Sequence, residues 1–239
     1  MRTHSLIPLL ACLALCGCIN YHDKDHEAPG AGQDTQQHDD GDTHSVNGSI
    51  HIAAGQPAGD ASTVNGSVRI DDGAQVEGGH SVNGGISLGT NATAGSLTTV
   101  NGGIDVGDGA TVHDAVTTVN GTLRLRPGSS VGGRLSNVNG TIIVAGASVG
   151  GGINTVNGNI DIGANSHIKG GITVHKPATG FLHLWGDNDK PRVVVGPGAS
   201  VEGELRFERA VRLYVSDSAS IGPVTGATAI RFSGDHPPD

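Results

Sequence analysis

The chain is short of thiols, rings and charge. Its three cysteines, Cys12, Cys16 and Cys18, all lie at the extreme N-terminus. Everything beyond Cys18 is therefore barred from disulfides and from cysteine-based catalysis. Aromatic residues make up only 3% of the sequence, which suits an interior too narrow to hold rings. Charged residues are 15%, with a formal net charge of −9. That balance excludes nucleic acid as a partner, because binding it needs clustered Lys and Arg to displace counterions. Arg124, Arg126 and Arg134 come nearest to a basic patch, and they read as an ordinary solvated face. No long apolar run is present either. The best, Leu6 to Leu15, is too short to span a bilayer.

What the chain has instead is glycine, 40 residues of it, and one phrase said seven times. Val46-Asn47-Gly48 recurs at Val64, Val82, Val100, Val119, Val138 and Val156, with spacings of 18, 18, 18, 19, 19 and 18 residues. A fixed period of this size means stacked copies of one unit, each resting on its neighbours.

The unit divides into three sixes. Steps of six from Val46 meet Ile52, Ala58, Val64, Ile70, Val76 and Val82. A second apolar or small residue often lies two before, as in Ile50, Val68, Ala74 and Ile86. An apolar-x-apolar triplet is strand alternation with both outer side chains on one face. Between triplets stand corner residues such as Asn-Gly, Asp71-Asp72 and Gly132-Gly133, which tolerate the positive φ of a sharp turn. Three short strands and three corners describe one coil of a triangular parallel β-helix. Asn-Gly hairpins would need longer strand arms than this spacing leaves. In this register the motif valine points inward and the residue before it outward, so Val100 is expected inside and Thr99 outside. One face carries bulky pairs (Ile50/Ile52, Ile160/Ile162) and the next a small residue with a large one (Ala74/Val76), an alternation that fills a narrow bore.

The expected organisation has five parts. Residues 1–17 read as a targeting segment, with Arg2 ahead of the apolar run. Leu15-Cys16-Gly17-Cys18 resembles the bacterial lipobox, which implies that Cys18 is lipidated and becomes the first residue of the mature chain. Ile19 stands where lipoproteins kept at the inner membrane often have Asp, so the resemblance favours the outer membrane. Residues 18–44, rich in Asp and His with little that is apolar, read as a flexible tether. His and carboxylate there match no closed metal site, and no metal or cofactor is expected. The seven-motif β-helix covers 45–174. Irregular coils and an aromatic cap occupy 175–232, and a disordered tail 233–239.

Two outward features are candidates for interaction. Asn47, Asn65, Asn83, Asn101, Asn120, Asn139 and Asn157 form an amide column whose simplest role is a structural ladder. Beside it run Ser45, Thr63, Ser81, Thr99, Thr118, Asn137 and Thr155, which together with the amides would make a flat recognition face. The aromatics Phe181, Trp185, Phe207, Tyr214 and Phe232 cluster late in the chain, where they would plug the open end of the helix or dock another chain. The first coil, entered straight from the tether, is expected to be bare and prone to self-association.

The phrase running from Val193 through Gly196-Pro197-Gly198-Ala199 to Leu205, echoed by Asp72-Gly73-Ala74-Gln75-Val76-Glu77-Gly78, resembles the repeats of bactofilins. That resemblance implies a right-handed triangular β-helix and a polymer-forming scaffold, although bactofilins are typically cytoplasmic and lack a lipobox. The six-residue step is also similar to the left-handed hexapeptide repeat of acyltransferases, but His113 and His167 stand on short corners without a carboxylate at useful spacing. The reading adopted is an all-β, right-handed solenoid that is not an enzyme. It is a lipid-anchored envelope rod that scaffolds and self-associates. The alternative is a carbohydrate- or surface-binding module using the Thr/Asn columns or the late aromatics, with an envelope polysaccharide as partner.

Overall fold

The computed structural model describes residues 35–37 (backbone), 41–177 and 190–237. The elements are all strands, twenty-six of them in one sheet wound into a β-solenoid of about ten turns. Three parallel ladders make its three faces. The bulky face runs from Ile50–Ile52 to Ala229–Phe232, with Ile50 opposite Val68, Val68 opposite Ile86, and so upward. The small face starts at Pro57 and Ala58 and ends at Ser220–Ile221. The third, here called the hydroxyl face, runs from Thr43–Ser45 to Val224–Thr225. At a strand spacing of about 4.8 Å, the ten strands of the bulky face span roughly 45 Å.

Local chemistry sets each corner. Between the bulky and small faces the chain passes through a left-handed residue: Gly55, Gly73, Asn91, Gly109, Gly128, Gly146, Asn165 or Gly198, with φ between 54° and 73°. Only Gly and Asn occur there, because other side chains collide with the backbone in that region. The turn then delivers Ala74, Ala92, Ala110, Ser129, Ala147, Ser166 and Ala199 into the bore, each at most 2% exposed. This column of small side chains leaves room for the Ile, Leu and Val pairs opposite.

At the Val-Asn-Gly corner the structure overturns the even six-residue step. The buried series reads Ile70, Val76, Ser81, Leu88, in steps of six, five and seven. The motif valine therefore faces out and the residue before it faces in. Val46 is 56% exposed, whereas Thr99 is 0% exposed. The extra residue lies on the outside of a long corner, and the buried hydroxyl is held there by a carbonyl of the coil below. The motif glycines also serve a different purpose from the one expected. Gly66, Gly84, Gly102 and Gly121 do not take a positive φ. A Cβ on any of them would overlap the carbonyl oxygen of the motif glycine one coil below. Close stacking, not turn strain, reserves the position.

The ends differ from expectation as well. The first coil is not bare on every side, because Thr35–Gln37 pairs antiparallel with Thr43–Ser45 and covers the edge of the hydroxyl face. Ile50–Ile52 has its described partner on one side only. Between Val174 and Arg192 the sequence makes an excursion from the 18–19-residue period, and the bulky ladder continues with Ile160 opposite Val193. Phe181 and Trp185 fall outside the described residues. Phe207, 5% exposed, extends the inner column of Val174. Tyr214 and Phe232 join Val194 in a second cluster on the outer side of the bulky face. Arg192 lies 5.3 Å from the Tyr214 ring centroid. The three described rings thus do not gather into one plug. At the last turn the Arg231 guanidinium donates to the Ser216 carbonyl oxygen at 2.9 Å.

The inverted register gives a direct check. Thr99→Asp is expected to bury an unpaired carboxylate and cost several kcal/mol, while Val100→Asp, one residue on and facing out, should leave the melting temperature within a few degrees. Equal loss in the two variants would mean that the alternation at this corner is misplaced.

Candidate functional site

Two side-chain columns meet at the Val-Asn-Gly corner, and each depends on the coil-to-coil register. In the exposed column every Asn Nδ2 donates to the Oδ1 of the Asn one coil below. The distances are 2.9 Å for Asn65 to Asn47, 3.0 Å for Asn83 to Asn65, Asn101 to Asn83 and Asn120 to Asn101, 2.9 Å for Asn139 to Asn120 and 3.1 Å for Asn157 to Asn139. All six bonds point the same way, so each polarises the next. The last acceptor, Asn157 Oδ1, takes a bond from Arg209 Nη1 at 2.5 Å, and the same nitrogen reaches Val156 O at 3.3 Å. A cation thus terminates the acceptor end of the ladder, where a charge-assisted bond is strongest. Nothing in the period of the sequence points to Arg209, which lies beyond the excursion.

The second column is the buried one. Thr63 Oγ1 donates to Gly48 O at 2.8 Å, Ser81 Oγ to Gly66 O at 2.9 Å, Thr99 Oγ1 to Gly84 O at 2.8 Å and Thr118 Oγ1 to Gly102 O at 2.9 Å. Asn137 substitutes an amide for the hydroxyl, reaching Gly121 O at 2.9 Å and accepting from Thr155 Oγ1 at 3.2 Å. These residues were expected on the surface. They are inside, and the donors of Thr63, Ser81, Thr99, Thr118 and Asn137 are already spent on backbone carbonyls. A flat outward Thr/Asn recognition array is therefore absent at this corner, and of the pair only the amides reach solvent. Ser45 has no lower coil to receive its hydroxyl, which is buried without a partner among the described residues.

The outer side of the bulky face carries charge of both signs. Arg126 clasps Asp105 with two parallel bonds of 2.8 and 2.9 Å. That clasp holds the Asp105 carboxyl below the usual carboxylate range. Asp71 is lowered likewise, first by its 2.6 Å bond to His51 and then by Arg69 at 2.8 Å. A shallow polar depression, lined by Arg69, Asp71, Asp72, Asp105, Asp108 and Arg126 among others, opens over Ser87.

Histidines also find carboxylates between coils. His167, which sequence spacing left without a partner, has Nε2 at 3.0 Å from Glu202 Oε1. The excursion between them hid this pairing by breaking the period. His175 approaches Glu208 at 3.3 Å. Both pairs are solvent-exposed, the class of ion pair that contributes least to stability. Among the described residues no group of three His, Cys, Asp or Glu side chains is placed to hold a metal ion. The lipidation candidate Cys18 lies outside the described residues.

The solenoid of parallel coils defines the structural class of the chain. No family model matches the sequence, and comparison with curated proteins and with solved structures returns no match.

A position inside the buried column and its first position respond differently to loss of a hydroxyl. Thr118→Val strips a buried carbonyl of its donor and is expected to cost about 1–3 kcal/mol. Ser45→Ala removes a hydroxyl that bonds nothing and should change stability by less than about 0.5 kcal/mol. Chemical denaturation of both variants checks this, and a large loss from Ser45→Ala would reveal an acceptor for that hydroxyl.

Proposed function

We propose that this protein is a non-catalytic, lipid-anchored envelope lipoprotein whose solenoid serves as a rigid spacer and scaffold, built on bactofilin-like repeats. The observation that carries the reading is the unbroken stacking. Three strand ladders, an amide ladder and a buried hydroxyl column all run along the same axis, so each coil braces the next. Such a body resists bending and repeats the same backbone register at every coil, as a spacer or assembly element requires. The lipobox-like Leu15-Cys16-Gly17-Cys18 supplies the anchor, with the outer membrane as its destination, and the residues from 18 up to the strand Thr35–Gln37 supply the tether, shorter than the 18–44 expected because Thr43–Ser45 already belongs to the hydroxyl face.

The second reading, a carbohydrate- or surface-binding module, keeps one support, the exposed amides of the Asn column. Its other supports are weakened, since the Thr column is buried and Phe207, Tyr214 and Phe232 are each at most 8% exposed.

The anchor is tested with Cys18→Ser. The wild-type chain is expected to sediment with membranes, and the variant to appear in the soluble periplasmic fraction or as unprocessed precursor. Membrane fractionation of Cys18→Ser indistinguishable from wild type refutes the lipoprotein reading.

A further inference from the structure

The outer side of the hydroxyl face is built differently from the rest of the surface. On each strand two outward side chains, two residues apart, flank the buried hydroxyl: Thr98 and Val100, Thr117 and Val119, Ser136 and Val138, Asn154 and Val156. All eight are half-buried. Parallel register places them in two straight columns, with Thr98 opposite Thr117 and Thr117 opposite Ser136. The exposed Asn ladder runs alongside. Over these four coils neither column contains a formal charge. On the bulky face, by contrast, the outward column runs through His51, Arg69, Asp105, Arg124 and Asp161, a mixture of both signs. On the small face the column of Thr93, Thr111, Ser130 and Ser148 is uncharged over the same coils, but it carries no apolar row.

We propose that two copies of this chain associate side by side through the valine and hydroxyl columns of the hydroxyl face. Three observations favour a second copy as the occupant. From residue 45 on the chain has 16 Asp and Glu against 12 Lys and Arg, and two copies of such a body meet most easily where neither brings a charge to the contact. The half-exposed valines recur at the strand spacing of about 4.8 Å. A partner must repeat at that spacing to meet several of them at once, and a second copy does so by construction. A two-fold contact also sets the same columns against each other from both sides, the usual symmetry of a homodimer.

The size of the face determines how strong the contact is. The four uncharged rows at about 4.8 Å, across two columns about 7 Å apart with their flanks, give on the order of 300 Å² per copy, against roughly 800 Å² in a stable interface. Such a contact is weak in dilute solution. Tethering both copies to one membrane raises their effective concentration enough to populate it. To that extent the inference rests on the anchored rod proposed above.

The experiment uses the absence of thiols beyond Cys18, which makes a single introduced cysteine a clean reporter. Thr98→Cys, Thr117→Cys and Ser136→Cys sample the hydroxyl face, Ser130→Cys the small face and Arg124→Cys the bulky face. The full chain is expressed and isolated membranes are treated with a mild oxidant. At least one hydroxyl-face position should give a disulfide dimer at least tenfold above the two control faces. Val100→Lys together with Val119→Lys, in the same reporter background, should abolish that dimer while the unfolding temperature stays close to that of the parent. Equal cross-linking of all three faces, or none from the hydroxyl face, overturns the proposal. So does protection of the hydroxyl-face thiols by added envelope polysaccharide with no dimer formed, which would assign the face to a glycan instead. The same reporters in purified Cys18→Ser protein at millimolar concentration separate the two ideas. Face-specific dimers there, with wild type missing from membranes, keep the interface and discard the anchor. Membrane-bound wild type without face-specific dimers in either preparation does the reverse.

Discussion

The fold depends on how closely one coil lies on the next at the Val-Asn-Gly corner. Main chain stacks on main chain there with a glycine above a glycine, and a single Cβ would strike the carbonyl oxygen beneath. The same closeness brings each Asn amide within bonding distance of the one below and each buried Thr or Ser hydroxyl within reach of a glycine carbonyl. Steric, amide and hydroxyl contacts thus all specify one register. A slip by one residue would exchange inside for outside along the whole strand, and it would break every one of these bonds at once.

That register also arranges the surface. Ion pairs such as Arg126 with Asp105 and Arg69 with Asp71 gather along the bulky face. The hydroxyl face keeps its central coils uncharged and carries a row of half-exposed valines. A solenoid has no separate loops on which to mount function, so differences between its three exteriors are its means of presenting distinct surfaces. On the hydroxyl face that surface is neutral and partly apolar over the central coils, and on the bulky face it is charged. The termination of the amide ladder by Arg209 follows the same logic, because stacking leaves one unused acceptor at the end and a guanidinium fills it.

Much of this was legible in the sequence. The seven-fold Val-Asn-Gly repeat named the architecture, the period and the Asn column. The Ile50/Ile52 and Ala74/Val76 patterns identified two of the three faces. The third face was misread, because a purely apolar criterion prefers Val100 to Thr99 for the interior. That criterion counts the cost of burying a hydroxyl but not the carbonyl that waits for it one coil below. His167 with Glu202, and Arg209 with Asn157, were invisible because the excursion between them removes the period on which spacing arguments rely.

The sequence by itself determined that the chain is a β-solenoid of 18–19-residue coils, since a short-range alternation repeated at fixed length admits few other ways to bury its apolar pairs. The scarcity of rings is consistent with the narrow bore. Only the tertiary structure decided which side of the Val-Asn-Gly corner faces inward, why glycine is required there, and which exterior carries a neutral valine row over its central coils. Those properties arise between residues fifteen to thirty-five positions apart, where stacking distance decides the outcome and local pattern carries no information about it.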